Sequence, residues 1–412
     1  MGAPARAATP TTTAATLTAA DVITQYARMA EAAFEDSLAA GKALQTAVDA
    51  FLAAPSPATL EAARQAWVAA RPSYLQTEAF RFTNPIVDAW EGKVNSWPLD
   101  EGLIDYVATP AEGSENPLAN ANVIAAKSIK INGETVDVTT IDGPLLRKLQ
   151  EAGGIKANVA TGYHAIEFLL WGQDLHGTGP GAGERPHSDY DLKSCTHANC
   201  DRRAAYLKAA TQLLVEDLAW IAAQWKAEGE ARKHITSLPP DDALVAIFSG
   251  LASLSYGELA GERTKLALLL HDPEEEHDCF SDNTHNSHYY DALGIENVYL
   301  GRFKRRDGSL IAGPSVSDLV KARSPATDDN VRQAIATTVS RMKAIVDKAN
   351  AGMKFDMMIA EGNVEGNKLV QDGIDGLLAQ TNALRSAVAT LALKNLKVQD
   401  SDSLRDPASI KK

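Results

Sequence analysis

Apolar residues recur at helical spacing over about residues 17–54, and Pro55-Ser56-Pro57 closes that run. Thr59 opens a second helical stretch that extends to Phe82 and ends at Asn84-Pro85. The chain then turns irregular over residues 88–102, with tryptophan, glycine, proline and carboxylates crowded together, a composition common in loops that build sites. Over residues 128–139 the period changes to two: Ile129, Ile131, Val136 and Val138 flank Asn132-Gly133, which predicts one small β-hairpin. Helical spacing returns over residues 144–152 and 156–171, and a Gly/Pro/His-rich loop runs to Cys200. The second half reads as a long helix over 201–233, Pro239-Pro240, an apolar helix over 241–270, an irregular polar stretch over 271–290, an apolar stretch over 294–301, and helices over 328–351 and 368–393.

Both halves share the order helix, helix, irregular polar segment, glycine-bounded apolar stretch. This predicts an all-α fold of two packed antiparallel helical bundles related by a degenerate duplication, with one small hairpin. The expected boundaries are a flexible segment 1–14, an N-terminal bundle 15–200, a C-terminal bundle 201–396 and a tail 397–412. A length of 412 residues supports two cores, and the abundance of alanine with only 6% aromatics favours helices. There is no uninterrupted run of about 20 apolar residues, so no transmembrane segment is expected. The first ten residues lack the apolar centre of a signal peptide, as in a chain from which one has been removed.

Net charge is −13, which argues against nucleic acid or an anionic membrane as partner and suits a cation. Cys195 and Cys200 stand in a loop at a spacing that closes a small disulfide, a pairing expected in an oxidising compartment. Gly162-Tyr163-His164-Ala165-Ile166-Glu167 places a histidine and a carboxylate one turn apart on an apolar helix. Such a pair either grips a metal ion or satisfies itself as a buried polar contact. Further ligands would come from Glu78, Asp88, Asp100, Glu101 and Asp105, a mixed nitrogen and oxygen set suited to iron, zinc, manganese or copper. A second polar stretch, His277-Asp278-Cys279-Phe280-Ser281-Asp282-Asn283-Thr284-His285-Asn286-Ser287-His288, is dense in possible ligands and helix caps and would hold a second metal or substrate site; Asp282 or Thr284 would cap the following helix, and Glu258 and Glu262 share a helix face before it. Glu262 would pair with Arg263 or Lys265 or line a groove. Neither HExxH nor HxxEH occurs, so the usual zinc-peptidase helix is missing, and phosphate loops and a nucleophile elbow are absent as well.

Together the GxHxxE element with Phe168-Leu169-Leu170-Trp171-Gly172, Thr77-Glu78-Ala79-Phe80-Arg81-Phe82, Asn95-x-Trp97-Pro98-Leu99-Asp100-Glu101-Gly102 and Ser281-Asp282-Asn283-Thr284-His285 resemble the imelysin family, the iron-regulated protein A group. The resemblance implies two helical domains, a periplasmic or outer-membrane-associated location, and a role in iron acquisition. It further implies metal ligation by His164 and Glu167 with Glu78 and Asp88, and a groove organised by Arg81, Asp100, Glu101, Glu262, Asp282 and His285. A metal ion or metal chelate, iron first and zinc second, would be the ligand, with other iron-uptake components of the cell envelope as partners. The family also carries a peptidase name, for which Glu167 would be the catalytic base or a ligand. A third reading makes the motif structural in a protein that binds haem or another partner.

Overall fold

The computed structural model describes residues 17–110 and 114–410; the expected flexible segment 1–14 and the signal peptide reading lie outside them. Helix Ala19–Ala53 packs on Pro57–Leu75 and Cys200–Gln224. Thr18 and Ser56 each cap through the side chain to a backbone amide three residues on, satisfying donors that the first turn leaves open. In the second half Pro325–Asn350 and Val364–Thr390 pack together, and Thr284–Leu300 lies against Pro325–Asn350 and Pro57–Leu75. One apolar core joins residues from both halves, among them Val22, Trp67, Ile166, Leu251, Tyr299 and Leu384. A smaller core gathers Leu259, Met342, Phe355 and Leu377. The fold is helical, as the periodicity predicts.

The hairpin Ser128–Ile131 with Glu134–Asp137 sets Ile129 opposite Val136, and Asn132 and Gly133 both take the positive φ that its two-residue turn requires. A second antiparallel pair, Arg302–Lys304 with Leu310–Ala312, accompanies it. Its strands are three residues each, too short to register as alternation.

Two expectations change in detail. The polar stretch before residue 290 is not irregular throughout: Thr284–Leu300 is one α-helix. Its buried face carries Thr284, His285, Ser287, His288 and Asp291, so polar groups point inward and the usual apolar stripe is missing. The helix expected over 201–233 ends at Gln224 and resumes at Glu230; the turn between them closes at Gly229, where any Cβ would stand 2.1 Å from the Gln224 carbonyl oxygen. Pro240–Ser253 runs through a π-helical segment, Leu254–Lys265, into Leu266–Leu270. By length and hydropathy this 31-residue rod could cross a membrane, but 78% of its most apolar window is buried in the protein, as in a core helix. The tail is docked along the same rod: the Lys397 and Gln399 amides donate to Ser249 and Ser253, and Ser403 donates to the Gly261 carbonyl.

Candidate metal centre

Helix Gly162–Trp171 is buried along its whole length. It starts at residue 162, later than the periodicity predicts, because Gly162 turns the chain with φ +84° directly against Val94. A Cβ there would lie 2.4 Å from the Val94 carbonyl oxygen, which instead accepts the Tyr163 amide at 2.7 Å. Glycine is therefore required by both dihedral and space. The Trp67 indole donates to the Tyr163 carbonyl at 2.9 Å and pins this first turn.

One turn on, His164 Nδ1 meets Glu167 Oε2 at 3.0 Å. The other carboxylate oxygen, Oε1, accepts the Ser281 amide at 3.0 Å and its hydroxyl at 2.6 Å. Glu167 thus orients His164 with one oxygen and ties down the second-half loop with the other. The far nitrogen of His164, Nε2, is buried and has no hydrogen-bond partner. A carboxylate on one imidazole nitrogen and a bare second nitrogen is the arrangement in which protein carboxylates prepare histidine for metal.

The loop before Thr284–Leu300 supplies the rest. His277 and Asp278 are buried, and with His164 they offer three donor atoms all within 4.8 Å of one another. Nδ1 of His277 also lacks a partner, and its Nε2 lies 3.4 Å from Asn95 Nδ2. Asp278 is held by the Arg71 guanidinium at 2.7 and 3.3 Å, by Asn283 at 2.9 Å and by Ser287. Arg71 in turn donates to Asn95 at 2.6 Å and lies over the Tyr163 ring, 5.0 Å from its centroid. The Trp97 ring stands 5.1 Å from the His164 ring and walls the group on one side.

Electrostatics keep both imidazoles neutral. Burial, reinforced by the Arg71 charge, lowers His164 to about 3. His277 is pushed well below its usual range by burial and by Arg263. Burial and the adjacent Asp278 charge push Glu167 well above the carboxylate range, so without a cation Glu167 and His164 hold a proton between them that a bound cation would displace. For Asp278 burial acts in the opposite sense to Arg71, and the guanidinium prevails, so its carboxyl is lowered and it carries the charge. Two neutral imidazoles and one carboxylate, dry and converging, form a donor set that fits a first-row divalent cation.

The other sequence-predicted residues fall into separate groups. Glu78 and Asp88 do not join His164. Glu78 accepts from Tyr74 at 2.6 Å and is held by Arg81 at 3.3 Å and Arg263 at 3.2 Å. Asp88 is half-exposed and pairs with Arg81 at 3.1 Å. Two guanidiniums supply the positive charge that a metal was expected to bring. Arg81 also pairs with Glu91 and Glu258, whereas Glu262 is exposed, and Arg263 goes to Glu258, Asp291 and Glu78 instead of Glu262. Asp100 accepts from Asn116, Glu101 is raised by burial, and Asp105 is claimed by Arg185 and Arg203. Asp282 and His285 are buried near the centre, and each has one atom without a partner. The helix cap expected of Asp282 or Thr284 falls to Asn283, which makes no side-chain cap bond; the Thr284 hydroxyl instead accepts the Asp278 amide at 3.0 Å. Cys195 and Cys200 form the expected disulfide, and Cys279 is free and buried.

Known proteins place this architecture. Iron-regulated protein A of Synechococcus elongatus is 27% identical over 311 residues, which is 75% of this chain and 71% of that protein. The crystal structure of an iron-regulated protein A precursor from Parabacteroides distasonis superposes with a TM-score of 0.64 at 18% identity, covering 90% of this chain and 95% of the other. An imelysin-like protein from Psychrobacter arcticum gives a TM-score of 0.57 at 14% identity over 93% and 99% of the two chains. These structural likenesses establish a shared fold. The imelysin family, peptidase M75, matches residues 30–384. With most of its length inside that match, the chain belongs to the imelysin family.

Proposed function

We propose that this protein is an exported metal-binding protein of iron acquisition, with His164, His277 and Asp278 as ligands and Glu167 holding His164 in register. The observation that carries the reading is the convergence of His164, His277 and Asp278, whose donor atoms lie within 4.8 Å of one another, together with two imidazole nitrogens of that group, His164 Nε2 and His277 Nδ1, that have no partner. Leaving such atoms unmet costs about 1–3 kcal/mol each, a cost that a bound cation removes. The names of the Synechococcus and Parabacteroides proteins describe regulation by iron, which favours iron as the cargo. Zinc also suits two imidazoles and a carboxylate. Export is supported by the word precursor in the Parabacteroides name and by the disulfide. Glu167 is spent on orienting His164 and on holding Ser281, which favours a supporting role for it over that of a peptidase base.

The test is elemental analysis and calorimetry on the full chain with Fe(II) and Zn(II). Wild type binds one equivalent per chain, and His164→Ala, His277→Ala and Asp278→Asn each lower affinity at least tenfold. Unchanged stoichiometry and affinity in all three variants refute the assignment. Glu78→Gln and Asp88→Asn leave the affinity within threefold.

A further inference from the structure

A cleft of about 470 Å³ opens beside the centre, and His277 is common to both: it lines the cleft, and its Nδ1, without a hydrogen-bond partner, lies 3.8 Å from Asp278 Oδ1. Trp97 and Asn95, which touch the two histidines, form its inner wall. Resting on the metal-binding reading above, we infer that this cleft is the entrance to the centre and that it admits the hydrated divalent cation itself in preference to an anionic iron chelate.

Size does not select between these ligands. Six waters at about 30 Å³ each make a hydrated ion of roughly 180 Å³, and a small chelate would fit as well. Charge does select. The lining carries six carboxylates, Asp88, Glu91, Glu151, Glu258, Glu262 and Glu275, against Arg81, Lys156 and Arg263. Both guanidiniums are already committed. Arg81 lies 3.1 Å from Asp88, 3.3 Å from Glu91 and from Glu78, and 3.6 Å from Glu258. Arg263 lies 2.8 Å from Glu258 and 2.9 Å from Asp291. Neither can turn a free fork toward the carboxylates of a chelate without breaking a partly buried ion pair. The lining stays acidic after the pairing, with six carboxylates against three cations, although burial, with Glu78 and Glu258, raises Glu91 to about 7 and leaves it partly protonated. An acidic funnel with low-dielectric walls concentrates cations and repels anions.

Stopped-flow uptake of Co(II), followed by its visible absorbance in the full-length chain, tests this. Glu151 and Glu262 are exposed on the rim, and neither is a ligand. The double variant Glu151→Lys/Glu262→Lys binds the same amount of cobalt at saturation but roughly tenfold more slowly at low ionic strength. The difference closes in 1 M salt, where the Debye length is about 3 Å. Ferric citrate, used as the anionic probe, gains access in the variant relative to wild type. Equal cobalt rates in wild type and variant, with uptake still lost in His277→Ala, overturn the entrance and leave the metal centre standing. Wild type that binds no cobalt, zinc or iron overturns both.

Discussion

Arg71 is the strongest test of how the centre is held together. Its guanidinium has no exposure and sits between Asp278 and Asn95. Arg71→Met keeps much of the stem volume beneath Trp67, Tyr74 and Tyr163 while deleting the charge, so the main consequence falls on Asp278. An uncompensated buried carboxylate typically costs 3–5 kcal/mol. The carboxyl can escape that cost by protonating, which sets a ceiling. From its ordinary value of 3.8, protonation at pH 7 costs about 4.4 kcal/mol, at about 1.36 kcal/mol per pH unit. At pH 5 the same ceiling is about 1.6 kcal/mol. The destabilisation by Arg71→Met should therefore be about 3–4 kcal/mol at pH 7 and fall by roughly half or more at pH 5. Urea unfolding of metal-free wild type and variant at both pH values measures it. A cation on Asp278 should restore part of the loss, because ligand at a hundred times its Kd adds about 2.7 kcal/mol. A loss under about 1 kcal/mol at pH 7, or one that does not change with pH, would refute the account of Arg71 as the counter-charge of Asp278.

Gly162→Ala should cost roughly 3 kcal/mol or more and abolish cation binding, since both dihedral and space oppose it; stability within about 1 kcal/mol of wild type by the same unfolding assay would contradict the geometry. Metal-free protein should lose stability above about pH 6, while below that the buried imidazoles of His164, His277, His285 and His288, lowered by burial, lose their contribution as pH falls. Burial and neighbouring carboxyls raise Asp356 and Glu274 to about 7, and Asp282 to about 6, so the folded state keeps protons that the unfolded chain has lost above 3.8–4.5. Their contribution is present below that range and disappears as pH rises through 7, whereas Asp105 and Glu78, lowered by arginines against the effect of burial, lose theirs as pH falls below about 4. A melting temperature that rises steadily from about pH 6 to 8 would be incompatible with this, and Asp356→Asn should flatten the fall over that range. Replacing Cys195 and Cys200 by serine removes a short loop closure worth about 2 kcal/mol, to be read in the same melting experiment; no change in oxidised protein would show that the bond does not stabilise the fold.

The helical periodicity of residues 17–54 is visible because its apolar stripe faces one core, and Asn132-Gly133 announces its hairpin because two positive φ values in a row demand those residues. Thr284–Leu300 stays hidden for the opposite reason. It turns His285, His288 and Asp291 inward, so a pattern rule that assumes polar means outside misreads it. The same inversion explains which half of the site the sequence reveals. His164 and Glu167 share a helix, and a spacing of three residues suffices to pair them. His277 and Asp278 come from a loop more than a hundred residues away, marked only by a density of ligand-type side chains. Arg71 gives no local sign at all: one arginine on a long helix looks like a solvated charge until Asp278 is found against it.

Glu78 and Asp88 look like ligands for a related reason. Carboxylate clusters around a histidine motif need positive charge, and a sequence does not show whether a metal or a guanidinium supplies it. Here Arg81 and Arg263 supply it to that cluster through direct ion pairs, whereas in the histidine group Arg71 pairs with Asp278 and two imidazole nitrogens stay bare. The cation therefore belongs where donors are unmet and not where carboxylates are most numerous. On the proposed reading the acidic cleft would gather it and the neutral, dry imidazoles would retain it.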